Sequence, residues 1–206
     1  MEAKDYIQQL NDIKSILEKS TKFKALSGLS GVLAGIYALV GAVIANHLVA
    51  NSTTPLYFDL LNLDLSTELL TLVLLAATIL ILSVSTGLYF SMQHAKRHQV
   101  PLWNAAAKKL VVNFSVPMMV GGHFVIAALL KGYLTFIAPI CLSFYGLALL
   151  SAANFTFAET KYLGYGQLVL GGLALFFSGY GLYFWALGFG LFHILYGVVM
   201  YKKYEQ

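Results

Sequence analysis

Two histidines, His123 and His193, stand in long runs that contain no charged residue, and beside them Asn113, Tyr145, Gln167, Cys141 and several hydroxyls are the polar groups available there. A neutral imidazole offers one donor and one acceptor, and it can also ligate a metal or a haem iron. At 1.5 Å per helical residue, His123 lies about 12 Å from Lys131 and His193 about 15 Å from Tyr183, so the two rings stand at nearly matching depths. Gly190, His193 and Gly197 share one helical face by their spacing, which turns His193 toward a neighbouring helix. His123, His193, Asn113 and Tyr145 therefore form the candidate polar site. Three uses compete for it: hydrogen bonds to facing helices, the lining of a solute path, or a metal or single b-type haem held between the third and sixth helices. The first asks least of the chain, and no cofactor is expected. No Asp, Glu, Lys or Arg falls within these runs, which argues against an ion-driven pump, since such machines bury a charge.

Gly28-Leu29-Ser30-Gly31, followed by Val32 and Leu33, resembles the GxSG nucleophile segment of rhomboid intramembrane proteases, and the stretch from His193 to Gly197 is similar to their catalytic-histidine helix. That resemblance would pair Ser30 with His193 as nucleophile and base. The chain departs from the pattern in two ways. Ser30 is on the first helix, about 9 Å from its cytoplasmic end, rather than on a late helix opening near the outer face, and the HxxxN segment that supplies oxyanion donors is absent. Small residues at this spacing equally serve helix packing, so no catalytic residue is assigned and a non-enzymatic protein is expected. His94 and His98 flank Lys96 and Arg97 at metal-ligand spacing without further ligands nearby; a basic connection touching lipid phosphates is the simpler reading. Cys141 lacks a partner in the chain and reads as a small apolar residue.

The elements that must position these groups follow from composition. Of 206 residues, 59% are hydrophobic and 11% charged, against roughly a quarter charged in a soluble domain. Five charge-free runs, 25–46, 69–93, 110–130, 132–158 and 162–201, are each long enough to cross a hydrocarbon core about 30 Å thick. The last, 40 residues long, is twice that length as a helix and must fold back, with the turn expected near Tyr180-Gly181-Leu182-Tyr183. The expected fold is all-α: a polytopic membrane protein with a cytoplasmic amphipathic helix over 1–24 and a six-helix transmembrane domain over 25–203, its spans near 25–47, 67–92, 109–130, 133–153, 162–180 and 183–201. Twelve of the 13 basic residues then fall on one side, only Lys131 opposing, which sets both termini in the cytoplasm. The net charge of +4 reflects this retention and does not indicate nucleic-acid binding.

The N-terminus contains Glu2, Asp5, Asp12 and Glu18 and lacks the apolar core of a cleavable signal. Tyr6, Leu10, Ile13 and Leu17 recur at helical spacing, giving an apolar stripe that needs the membrane interface or a partner to cover it. Residues 48–66 are too apolar for a solvated loop and should lie on the membrane, with Ser66 and Glu68 opening the second span. Asn51-Ser52-Thr53 matches a glycosylation sequon, but so does Asn113-Phe114-Ser115 inside a span, so the match carries no weight. Trp103, Tyr133, Tyr183 and Trp185 read as interface anchors.

Within lipid, close packing relies on small residues. Gly31 and Gly35 lie on a small-residue stripe of the first helix, and Gly171, Gly172, Gly190 and Gly197 belong to the glycine-rich last two. Pro117 and Pro139 should each bend the helix that holds them. The stretches 137–146 and 182–197 resemble a family of uncharacterised small six-span membrane proteins of bacteria. That resemblance implies an inner-membrane location and brings no activity, cofactor or site. The expectation is a non-enzymatic protein whose partners are the lipid bilayer and either a second copy or another membrane protein. The rival is small-solute permeation with His123 and His193 lining the path.

Overall fold

The computed structural model describes residues 27–51, 64–97, 101–177 and 179–205, with Gln8, Phe23, Phe58, Asp59 and Gln99. Among the described residues the regular structure is helical, apart from a two-residue antiparallel ladder of β1 (Phe58–Asp59) and β2 (Asp64–Leu65) that pairs Phe58 with Leu65. The long helices are α1 (Gly28–Ala50), α2 (Thr67–Arg97), α3 (Ala105–Leu130), α4 (Ile137–Ala152) and α5 (Thr160–Phe176). The last helix runs without a break through α6 (Gly181–Trp185), a π-helical segment (Ala186–Phe192) and α7 (His193–Tyr204). Short 3-10 turns, Leu134–Phe136 and Ala153–Phe155, flank α4. Of the expected helix over 1–24, Gln8 is helical and Phe23 is not; its other residues, and most of the 48–66 connection, lie outside the described residues.

The ends are set by local chemistry. Ser66 Oγ accepts the Leu69 N–H at the start of α2, and Asn104 Oδ1 accepts the Ala107 N–H at the start of α3. At the end of α3, Gly132 takes φ +72°, while the Tyr133 N–H reaches the Ala128 carbonyl and the Gly132 N–H reaches that of Leu129, a Schellman stop that only glycine adopts without cost. The reversal between α5 and α6 comes a few residues earlier than expected: α5 ends at Phe176 and Gly179 takes φ +93°. Pro139 occupies the first turn of α4, where its missing N–H has no partner to lose, so no bend is required there; Pro117 is inside α3.

Among the described residues, five helical stretches, Gly28–Ala50, Thr67–Arg97, Ala105–Leu130, Leu134–Phe155 and Gly181–Tyr204, are long and apolar enough to cross a membrane. The 17 residues of α5 are shorter. Successive helices run antiparallel where they touch. On α1 and α2, Tyr37 meets Thr86 and Gly41 meets Ile79. On α4 and α5, Gly146 meets Gly164 and Ser143 meets Gly171. Helix α1 also lies antiparallel against the last helix, Gly28 facing Gly197 and Tyr201, and Gly35 facing Gly190. A Cβ on Gly35 would stand 2.6 Å from the Gly190 carbonyl oxygen, and one on Gly197 2.5 Å from that of Gly28, so this crossing closes only on glycine.

One end of the bundle is gathered on Phe23. Its N–H donates to the Phe155 carbonyl at 2.7 Å, its carbonyl accepts the Thr156 hydroxyl at 3.0 Å, and its ring packs with Ala95, Ala106 and Ala107. At the same end Glu205 accepts the Gly28 N–H and the Ser27 hydroxyl, capping α1 from the far end of the chain. Beyond this end α2 and α3 barely touch, and most of both helices is uncovered by the rest of the chain.

Candidate functional site

Two buried polar side chains, Gln167 and His193, converge with Tyr145 where α4, α5 and the π-helical segment meet. A π turn is wider than an α turn, and here it spans Ala186-Leu187-Gly188-Phe189-Gly190-Leu191-Phe192. Its two glycines admit neighbours on different sides. Gly188 faces Gln167 of α5 and Leu142 of α4, while Gly190 faces Leu39 of α1.

The Gly188 carbonyl oxygen accepts two side-chain bonds, from Gln167 Nε2 at 2.8 Å and from His193 Nδ1 at 2.9 Å. Because a carbonyl can only accept, His193 carries its hydrogen on Nδ1, and Nε2 is the acceptor. Tyr145 supplies the donor, its hydroxyl standing 2.8 Å from Nε2. The neutral imidazole is thus fully satisfied. Aromatic faces wall it in: Phe189 stacks on His193, Tyr145 lies tilted against both, and Phe114 meets Tyr145 edge-on at 5.9 Å. Gln167 is wholly buried, and its Oε1 is the single enclosed side-chain polar atom without a partner among the described residues. That oxygen packs against the Cα of Gly188, where a Cβ would fall 2.5 Å away.

Of the four residues expected at the site, the structure joins two, Tyr145 and His193. His123 stands on the exposed face of α3 with Nδ1 donating to its own helix at the Met119 carbonyl, 2.7 Å away. Asn113 likewise donates to the Lys109 carbonyl. With both nitrogens of His193 engaged, that ring has no lone pair to give a metal or haem iron, and among the described residues no three His, Cys, Asp or Glu side chains cluster as ligands. The Ser30 hydroxyl donates to the Ser27 carbonyl at 2.6 Å and makes no dyad with His193.

The packing glycines divide too. Gly31, Gly35, Gly190 and Gly197 form the α1 crossing and Gly171 fits under Ser143, whereas a Cβ on Gly172 would meet open space. Trp103, Tyr133 and Tyr183 are exposed near helix ends, and Trp185 packs on Phe189.

Sequence reasoning missed Gly188 as an acceptor and the Thr160–Tyr196 bond of 3.1 Å between α5 and α7. It also missed Glu159, whose carboxylate takes the Lys203 ammonium and the Tyr204 hydroxyl at the basic end. Partial burial raises the Glu159 carboxyl, but bonds from Lys203, its own backbone and Tyr204, with the Lys203 charge, outweigh it and hold the group below the ordinary carboxylate value. Only the glycine pair in 186–192 hinted at an altered helix there.

No family model, no curated protein and no solved structure matches this chain.

Proposed function

We propose that this protein is a non-enzymatic integral membrane protein of six spans that works through helix packing and through association with another membrane protein on the outer face of α3. The observation that carries the reading is His123. Its Nδ1 hydrogen is committed to Met119, which leaves Nε2 on an exposed helix face without a partner among the described residues. In hydrocarbon, no water satisfies it, and an unmet acceptor costs on the order of 1–3 kcal/mol. A helix bearing a hydroxyl, indole or amide donor would relieve that cost. Val112, Val116, Met119 and Ile126 are exposed alongside at helical spacing, and Gly122 leaves room beside His123 for a close approach. A symmetric pair centred on His123 would set acceptor against acceptor, which favours a different partner over a second copy.

Six crossings are supported by the antiparallel contact of α1 with the last helix and by the Glu205 cap on Gly28. These bring the start of the first span beside the end of the last, which needs an even number. Helix α5 then supplies the remaining crossing, about 25 Å long at 1.5 Å per residue, with one face buried in the bundle. Lys96, Arg97, Lys108, Lys109, Lys161, Lys202 and Lys203 share the Phe23 end, so both termini are assigned to the cytoplasm and, on the resemblance, to a bacterial inner membrane. Permeation along the two imidazoles draws no support from a geometry in which one is walled in and the other faces outward.

Photocrosslinkers placed at Met119 and Ile126 in native membranes test the association. The expected result is a discrete adduct with another membrane protein that weakens on His123→Leu. Monomer alone would overturn the reading, and an adduct with a second copy would replace the partner by self-association.

A further inference from the structure

Outside the Tyr145–His193 cluster, the strongest unused feature is a half-open cavity of about 220 Å³ at the basic end, between α1, α2 and the end of the last helix. Its wall is chemically two-sided. Arg97, with Gln93 and His94, lines it from α2, and Glu205 and Tyr201 line it from the last helix. Arg97 makes no ion pair with any described residue. Glu205 is held in place by the Gly28 N–H and the Ser27 hydroxyl, so its charge stays fixed on its own side. A cation and an anion therefore line one half-open cleft without closing on each other.

Ser27 completes the polar lining; the apolar part is Leu29, in the first turn of α1, and Phe90, two turns before Arg97 on α2 and on its bilayer side. One turn further along α2 from Phe90, a Cβ on Gly87 would meet open space. The cavity thus has a charged floor at the level of the basic residues and an apolar exit along the helices.

We propose that this cavity binds the head group of a zwitterionic phospholipid carrying a primary ammonium, of the phosphoethanolamine type. The phosphodiester sits on Arg97, whose forked donors suit two phosphate oxygens. The ammonium is taken by the Glu205 carboxylate. One acyl chain leaves past Leu29 and Phe90 over Gly87. A purely anionic head group would satisfy Arg97 but place its surplus charge or hydroxyls against Glu205, and a trimethylated ammonium cannot donate a hydrogen bond to that carboxylate. The site selects a head group by its two ends. This inference rests on the membrane reading and is independent of the partner proposed on α3.

Native mass spectrometry of the detergent-purified full chain, with phosphatidylethanolamine, phosphatidylglycerol and phosphatidylcholine added at equal concentration, tests it. The wild type should retain phosphatidylethanolamine roughly tenfold over the other two, the equivalent of one charge-assisted hydrogen bond. R97Q should lose retention of all three lipids, while R97K keeps part of it. E205Q should bind phosphatidylethanolamine and phosphatidylglycerol alike, which separates loss of selectivity from loss of fold. Unchanged melting temperatures and elution volumes qualify each variant, and for any variant that fails this check, protection of wild-type Arg97 from a dicarbonyl reagent by each lipid supplies the comparison. Equal retention of the three lipids, or retention indifferent to R97Q, would overturn the proposal. Competition by soluble phosphoethanolamine or inorganic phosphate as strong as by the lipid would overturn the lipid as source and assign the cavity to a free phosphate ester.

Discussion

Tyr145 donates its phenolic hydrogen to Nε2 of His193 across 2.8 Å, and the direction of that bond is imposed from the other side of the ring, where Nδ1–H is spent on the Gly188 carbonyl. The π segment places that carbonyl within reach of both His193 and Gln167, so α5 and the last helix are tied at one oxygen and α4 joins them through Tyr145 and the imidazole.

Removing the donor tests this tie. Tyr145→Phe keeps the ring contacts with Phe114 and Phe189 but leaves Nε2 unmet in a dry site. The expected loss is about 1 kcal/mol, within the range of interhelical hydrogen bonds in membranes. It is read from reversible unfolding in mixed micelles. A Tyr145→Phe, His193→Phe pair should show coupling in a double-mutant cycle, and additive losses would contradict the bond's role.

Gly188 and Gln167 should respond to different degrees. Gly188→Ala drives a Cβ to 2.5 Å from Gln167 Oε1 and Leu142 Cδ2, so the segment must shift at a cost of about 1–3 kcal/mol. Gln167→Met removes one hydrogen bond together with the orphaned Oε1, and the loss should stay below about 1 kcal/mol because an unpaired acceptor disappears with it. Thermal melts of the two variants check the ordering.

Glu159 makes stability depend on acid. Its folded carboxyl lies below the ordinary 4.5, so the bonds to Lys203 and Tyr204 contribute fully above that value and are lost as pH falls through the lowered one. Melting temperature measured down an acid series should drop in this window for the wild type, and Glu159→Gln should flatten the drop. An identical acid slope in both proteins would contradict the assignment.

Much of the frame was written in one dimension. Apolar runs of sufficient length, in five of the helices, and Ser66 ahead of α2 each depend on neighbours in the chain, and the described residues meet them. Pro139 was misjudged because its effect depends on where the helix starts, two residues before it, which composition does not reveal.

The site was only half legible for a related reason. Depth can be counted along a helix, and by that count His123 and His193 were equivalent. Orientation around the helix, and the identity of what faces it, were not. Equal spacing from an end says nothing about rotation when the surrounding residues are apolar on every side, as they are on α3.

The sequence by itself determined that this chain is a set of apolar helices with one basic end, because hydrophobicity, length and charge act residue by residue. Only the tertiary structure decided that Tyr145 meets His193 over 48 positions, that Gly188 becomes a shared acceptor, and that Glu205 closes the first helix from the last. Those partners are chosen by backbone approach and by competition among distant donors and acceptors, quantities that exist only once the helices have packed.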